Sequence, residues 1–153
     1  KNKIMLKKLF VITLGASLLF SCGTTAPPKT AEVSFKKTND GVITVSSKGY
    51  GKKEADATKH AHEQAFNILF FKGLPNSNFD QPMISADESR IKAKHPGYFE
   101  SFYASRYKEF VVQSNVTSEF NKKAGVIHCN IKINYNSLRR DLESKGVLRK
   151  FGL

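Results

Sequence analysis

The sequence predicts an α+β domain: an antiparallel sheet of about four strands with helices packed on one face, in the order β-β-α-α-β-β-α. Three patterns support this fold class. Two pairs of segments alternate apolar and polar residues and are joined by turn-forming sequences, as in β-hairpins. Between the pairs, small and apolar residues recur at the three- and four-residue spacing of a helix face. A last helical pattern follows the fourth strand.

The first hairpin is predicted over residues 31–47. Val33 and Phe35 alternate with polar residues in the segment 31–37, and the segment 42–47 alternates throughout. Between them lies Asp40-Gly41, a pair that tolerates the positive φ angles of a two-residue hairpin turn. We therefore expect two antiparallel strands here.

A long helix is predicted over residues 52–72, after a tight turn at Gly49-Tyr50-Gly51. Gly73 suits a helix end, and Pro75 disfavours continuation. Alanines in most positions of the apolar stripe predict close packing of this helix on the sheet. The stripe consists of Ala57, Ala61, Ala65, Ile68 and Leu69.

Two short helices are predicted in the middle of the chain, after a loop at residues 74–84. Ser85 and Glu88 have the spacing of a capping box, which starts a helix that runs to about residue 94. His95-Pro96-Gly97 is expected to break it. Residues 98–107 then form a second helical segment with an aromatic face.

The second hairpin is predicted from residues 110–119 and 126–135, joined by a turn at 121–125. In the first strand Phe110, Val112, Ser114 and Val116 share one face. The second strand is the clearest in the chain, because Ile127, Cys129, Ile131, Ile133 and Tyr135 alternate with polar residues. Asn136 is expected to cap a final helix at 137–145, which ends at Gly146.

Composition limits the function classes. The chain has 153 residues, 25 Lys+Arg, 13 Asp+Glu and a net charge of +12. This length fits one domain. Two cysteines exclude a disulfide-rich scaffold and a zinc site made of cysteines alone. The hydrophobic fraction of 40% excludes a chain that is disordered throughout.

The N-terminal residues predict that the protein is targeted to the cell envelope. Four lysines precede an apolar run at residues 9–20, which is shorter than the roughly 20 residues of a membrane-spanning helix and typical of a secretory signal. Leu19-Phe20-Ser21-Cys22 then resembles the lipobox of bacterial lipoproteins. This resemblance implies cleavage before Cys22 and its acylation, with palmitate among the attached chains. Residues 1–21 would be the signal peptide, 22–30 a flexible tether and 31–153 the single α+β domain.

The same resemblance implies a location. Gly23, in place of an aspartate, favours the outer membrane, and the absence of an early acidic run favours a periplasm-facing position. Cleavage would leave 21 Lys+Arg and 13 Asp+Glu, so the mature charge is 21 − 13 = +8. We therefore expect the membrane, through acylated Cys22, and an envelope protein or polymer as partners. Nucleic acid is not expected as a partner.

No catalytic, metal or cofactor site is expected from the sequence. His60 and His62 are two residues apart and do not share a helix face, as metal ligands at three- or four-residue spacing would. Cys129 lies on an apolar strand face and is expected to be an inert buried thiol. The carboxylate pairs Asp87/Glu88 and Asp141/Glu143 are typical of helix capping and solvated helix surfaces.

Basic doublets are the candidate contacts for an anion or an acidic partner. They lie near turns and helix ends, where solvated surface is the ordinary explanation, and they would attract anionic groups if they shared one face. The candidate residues are Lys52, Lys53, Lys122, Lys123, Arg139 and Arg140.

Residues 42–72 resemble a known family. The run from Ile43 to Gly51 (ITVSSKGYG), followed by Glu54-Ala55 and the alanine stripe, is similar to small outer-membrane lipoproteins of the 20-kDa type and to the N-terminal domain of the flagellar T-ring protein. This resemblance implies an envelope-associated α+β domain for assembly or interaction, with no catalytic residues.

The leading hypothesis is thus a non-enzymatic, lipid-anchored interaction or assembly module. One alternative is a module that binds an anionic lipid or glycan, suggested by the charge and the aromatic segment. A second alternative is an envelope hydrolase with a site under residues 74–97, suggested by Asp87, Glu88 and His95.

Overall fold

The computed structural model describes residues 32–149, which contain a four-stranded antiparallel sheet. Cys22, the predicted signal peptide and the predicted tether lie outside the described residues. The strand order is β1-β2-β4-β3, so each predicted hairpin forms and β2 pairs with β4 at the centre. The strands are β1 (Val33–Asn39), β2 (Val42–Tyr50), β3 (Val111–Val116) and β4 (Val126–Asn134).

Helical elements pack on one face of this sheet, which confirms the predicted α+β class and element order. They are α1 (Glu54–Phe71), α2 (Glu88–Lys94), α3 (Pro96–Ala104), a 3-10 helix (Arg106–Phe110) and α4 (Tyr135–Ser144). The predicted second short helix is therefore α3 followed by the 3-10 helix. The break predicted at His95-Pro96-Gly97 is confirmed, because α2 ends at Lys94; Pro96 then begins α3, where the first helical position needs no backbone N–H.

The first hairpin has the predicted two-residue turn. Asp40 and Gly41 have φ angles of 48° and 75°, and Asn39 pairs with Val42 across the turn. The backbone carbonyl of Gly41 accepts a hydrogen bond from the N–H of Tyr135 at 2.9 Å, which ties this turn to the start of α4.

Close packing of α1 on β2 explains the alanine stripe of α1 and the glycine at position 49 of β2. Ala57 and Ala61 are fully buried, and a Cβ atom added at Gly49 would lie 1.9 Å from the carbonyl oxygen of Ala57. The hydroxyl of Ser47, on the same strand face, donates to the carbonyl of Ala61 at 2.7 Å. The helix backbone thus lies directly on β2, and only glycine fits at the point of contact.

The core joins the covered sheet face to a cluster of aromatic rings. The predicted inward residues of β4, from Ile127 to Ile133, are fully buried. The aromatic face predicted after residue 97 contacts α1, with ring centroids 5.2 Å apart for Phe66 and Phe102 and 5.1 Å apart for Phe70 and Phe102. This cluster holds α3 against α1.

Two predicted helix caps are wrong by two residues. Asp87, rather than Ser85, caps α2: its carboxylate accepts from the N–H of Arg90 at 3.0 Å. Asn134, rather than Asn136, caps α4 by accepting from the N–H of Ser137 at 2.9 Å. Each of these segments contains several residues whose side chains could cap a helix N-terminus. The path of the preceding chain decides which of them reaches the free N–H groups of the first turn.

Strand β3 is shorter than predicted and its alternation is broken. A bulge lies between Val111 and Gln113, so Val112 and Val116 do not continue one buried face. Val112 and Val116 are 59% and 48% exposed. Phe110, predicted to begin the strand, is instead buried at the end of the 3-10 helix.

Candidate functional site

Four of the six candidate basic residues meet at one end of the sheet. Lys52 and Lys53 precede α1, and Lys122 and Lys123 lie in the β3–β4 turn. The N–H of Gly51 donates to the carbonyl of Gly125 at 2.9 Å, which brings these two segments together. Glu54 and Glu119 line the same surface depression as Lys122, so this end carries charges of both signs.

Arg139 and Arg140 lie at the opposite end, because α4 follows the C-terminal end of β4. Strand β4 has nine residues, which span about 30 Å at roughly 3.4 Å per residue. Arg139 is paired with Glu143 at 3.1 Å, and Arg140 donates to the hydroxyl of Ser137 at 3.3 Å. The doublets therefore form two separate groups rather than one patch.

The face of the sheet away from the helices is polar. Its central residues are Thr44, Ser46 and Lys48 on β2 and Asn130 and Lys132 on β4, all half-buried between their neighbours. Lys132 also lines a shallow depression of about 400 Å³ together with Lys37 of β1. This face offers lysine ammonium groups beside hydroxyl and amide groups.

Strand β3 is an edge strand with free backbone groups. The N–H of Thr117 donates to the carbonyl of His128 at 2.8 Å, just beyond the last paired residue of β3. Because partners alternate along an antiparallel ladder, Gln113 and Asn115 point their backbone groups towards β4. Ser114 and Val116 then direct their N–H and C=O groups outwards, where an added strand would pair.

The two edges of the sheet differ in charge. Both edge strands contain a bulge, but β1 also carries Lys36 and Lys37, whose charges discourage strand addition. Strand β3 has no charged residue from Val111 to Val116. It also carries the exposed large hydrophobic residues Val112 and Val116, and no others occur among residues 32–149. Only the β3 edge therefore combines free backbone groups with an uncharged, partly apolar surface.

His62 fixes β3 to α1. Its Nε2 lies 2.9 Å from the hydroxyl oxygen of Ser114, and its ring stacks on Tyr107 at 5.6 Å between centroids. Burial lowers the pKa of His62. His60 faces another part of the fold, where its Nδ1 accepts from the N–H of Tyr50 at 3.2 Å. The two histidines thus occupy separate environments, as their spacing predicts.

The three residues that suggested a hydrolase, Asp87, Glu88 and His95, do not line one common depression. Asp87 caps α2 and Glu88 pairs with Lys92 at 2.8 Å. Both carboxylates line a depression of about 590 Å³ at residues 82–92, but His95 does not line it. Cys129 is fully buried, as predicted, and burial raises the pKa of its thiol.

Residues 32–149 contain neither a metal-binding cluster nor a membrane-spanning helix. No three His, Cys, Asp or Glu side chains there are arranged to hold a metal ion. None of the helices within residues 32–149 is long and apolar enough to cross a membrane.

Comparisons with protein-family models, curated proteins and solved structures find no match to this chain. The similarity of residues 42–72 to envelope lipoproteins therefore stays a prediction.

Sequence reasoning did not single out the β3 edge. Its signal is visible in the run VVQSNVTS, which is free of charge in a strongly basic chain. That signal has meaning only once β3 is known to lie at the edge, which depends on β2 pairing with β4 in the folded sheet.

Proposed function

We propose that this chain is a non-enzymatic, lipid-anchored envelope protein whose domain binds an extended segment of a partner protein along the edge of β3. The observation that carries the proposal is the uncharged, exposed edge at Ser114 and Val116. A partner strand added there gains main-chain hydrogen bonds, and the exposed valines give it apolar contacts.

Charge favours an acidic partner over a second copy. The mature chain would carry +8, so pairing two copies edge to edge would bring like charges together. Lys122 and Lys123 lie in the turn after β3, at the end of the sheet where Lys52 and Lys53 also lie. Acidic residues flanking the partner's added strand would meet these lysines, which supports the basic doublets as partner contacts.

The anchor follows from the pattern around Cys22. Each buried CH₂ of an acyl chain contributes about 0.8 kcal/mol, and several chains on one cysteine make a stable tether. Mass spectrometry of the protein extracted from membranes is expected to show an acylated N-terminal Cys22. An unmodified Cys22 or a retained segment 1–21 would contradict the anchor, without bearing on the β3 edge.

Substitution at Val116 tests the edge. Val116→Pro removes an outward N–H and leaves the ladder to β4 intact, since proline is tolerated on an exposed strand edge. Val116→Thr keeps the N–H and the strand preference and is the matched control. After affinity purification from crosslinked envelopes, we expect Val116→Pro to recover about tenfold less partner than Val116→Thr, the equivalent of roughly 1.4 kcal/mol. Equal recovery by the two variants would reject edge pairing.

The open sheet face supports the anionic-ligand alternative as a second candidate. Lys37 and Lys132 line one depression there, beside the hydroxyl of Thr44. Binding to vesicles with anionic head groups would be charge-driven, so it should weaken with salt and with Lys132→Gln. Binding that resists both changes would dismiss this candidate.

A further inference from the structure

A polar cleft of about 300 Å³ lies between α1 and the α2–α3 pair. Helix α1 contributes His60, Glu63 and Asn67, which follow one another at three- and four-residue spacing on one flank. Helix α2 contributes Glu88 and Lys92, and α3 contributes Tyr103. Its volume reaches the lower end of the range for small-molecule sites.

The cleft is separate from the β3 edge. Gln64 of α1 also lines the cleft and donates to the carboxylate of Glu32, just before β1, at 3.3 Å. His62 on the other flank of α1 contacts Ser114 of β3. Helix α1 thus stands between the two sites, and binding in the cleft does not depend on binding at the β3 edge.

Two of the residues that line the cleft each have a buried polar atom without a hydrogen-bond partner among the described residues. These atoms are Oδ1 of Asn67 and the hydroxyl oxygen of Tyr103. Asn67 is only 9% exposed. A buried polar group without a hydrogen bond is destabilising, so two on the walls of one cleft point to a ligand that supplies the missing hydrogen bonds.

The cleft is acidic in a basic chain. Burial raises the pKa of the Tyr103 hydroxyl, and the negative charges of Glu88 and Glu63 raise it further. Glu88 is paired with Lys92 at 2.8 Å, whereas Glu63 has only a 3.5 Å contact with the half-exposed Lys59. Glu63 and the amide oxygen of Asn67 therefore offer acceptors for a cation.

His60 adds a donor to these acceptors. Its Nδ1 accepts from the backbone N–H of Tyr50, so in the neutral ring the proton is on Nε2. An imidazole N–H and a phenol hydroxyl next to a carboxylate and an amide oxygen match a ligand that carries both an ammonium group and hydroxyl groups.

We infer that this cleft binds a small amino alcohol of the amino-sugar class. Its ammonium group would pair with Glu63 and donate to Oδ1 of Asn67, and its hydroxyl groups would bond to Tyr103 and His60. Neutral sugars lack the charge for Glu63, and the carboxylate of Glu63 repels simple anions.

Calorimetric titration of the full chain with glucosamine tests this inference. We expect saturable binding of glucosamine and about tenfold weaker binding of N-acetylglucosamine and of glucose, which lack the positive charge. No saturable binding of glucosamine, or equal binding of the acetylated sugar, would overturn the assignment.

Variants locate the binding. Glu63→Gln removes the charge with little change in shape and should weaken glucosamine binding about tenfold. Glu100→Gln, at an exposed α3 carboxylate that does not line the cleft, is the matched control and should bind as the unmodified chain does. Equal weakening by both variants would mean non-specific attraction and would reject the site.

Tyr103→Phe separates a ligand-binding role from a structural one. This variant loses an unpartnered hydroxyl, so without ligand its unfolding midpoint should stay unchanged or rise. With glucosamine its affinity should fall about tenfold. A lowered midpoint without ligand, or unchanged affinity, would contradict the assignment of this hydroxyl to the ligand.

Discussion

Gly49→Ala tests the contact that seats α1 on the sheet. The added Cβ would lie 1.9 Å from the carbonyl oxygen of Ala57 and 2.7 Å from the backbone N of Ala61. Ordinary contact needs roughly 3.5 Å, so the helix must move by about 1.6 Å. These are backbone atoms, and no rotation of a side chain can relieve the overlap.

The expected cost has two parts. Overpacking of a tight contact costs about 1–3 kcal/mol. The same movement breaks the 2.7 Å hydrogen bond from Ser47 to the carbonyl of Ala61, which adds about 1 kcal/mol. Together the free energy of unfolding should fall by about 2–4 kcal/mol, a large share of the roughly 5–15 kcal/mol of a typical domain.

A urea titration monitored by circular dichroism gives this change in the free energy of unfolding from the midpoint and slope of the transition. Gly97→Ala is the matched control, because nothing lies within 4 Å of its added Cβ and the residue is in α3. That variant should gain up to about 1 kcal/mol from helix propensity. A loss below about 1 kcal/mol for Gly49→Ala, or an equal loss for Gly97→Ala, would refute the proposed contact.

Three further predictions concern buried or half-buried side chains. Asp141→Asn should lower the free energy of unfolding by about 2 kcal/mol in urea titrations, because Asp141 accepts from Tyr98 at 2.8 Å and from Arg106 at 2.9 Å; an unchanged midpoint would contradict this. The lowered pKa of His62 means that the folded chain binds fewer protons than the unfolded chain below about pH 6.5. Stability should therefore decrease as the pH is lowered through this range, and less steeply in His62→Gln; equal slopes would reject the assignment. Cys129 should react with a thiol reagent only as fast as the domain unfolds; rapid labelling of the folded chain would show that it is accessible.

Local patterns predicted most of the fold. The alternation from Ile127 to Ile133 and the Asp40-Gly41 turn each depend on neighbouring residues alone, and both are confirmed. The β3 bulge was not predicted, because its sequence also alternates and the shift appears only against β4. The cap at Asp87 was missed for a related reason: Ser85 is an equally good capping residue until the chain path is known.

Local sequence patterns predict even less about the candidate sites, because these sites join residues that are far apart in the chain. The sequence identifies basic doublets, but only the folded chain shows that Lys122 lies near Lys52 and far from Arg139. The cleft joins Asn67 and Tyr103 from different helices, and no spacing rule links them. Glu63 and Glu88 are also unremarkable as single residues on helix surfaces. Sites assembled from separate elements become visible only with the tertiary structure.

Site-specific photo-crosslinking in the native envelope tests the central claim most directly. Gln113 on β3 and Lys37 on β1 are both exposed at opposite edges of the sheet, and each can carry the crosslinker in the full chain. We predict an adduct with an envelope protein from position 113 and none from position 37, and we predict its loss when Val116→Pro is added. Equal adducts from both positions, no adduct from position 113, or an adduct that survives Val116→Pro would contradict partner binding at the β3 edge.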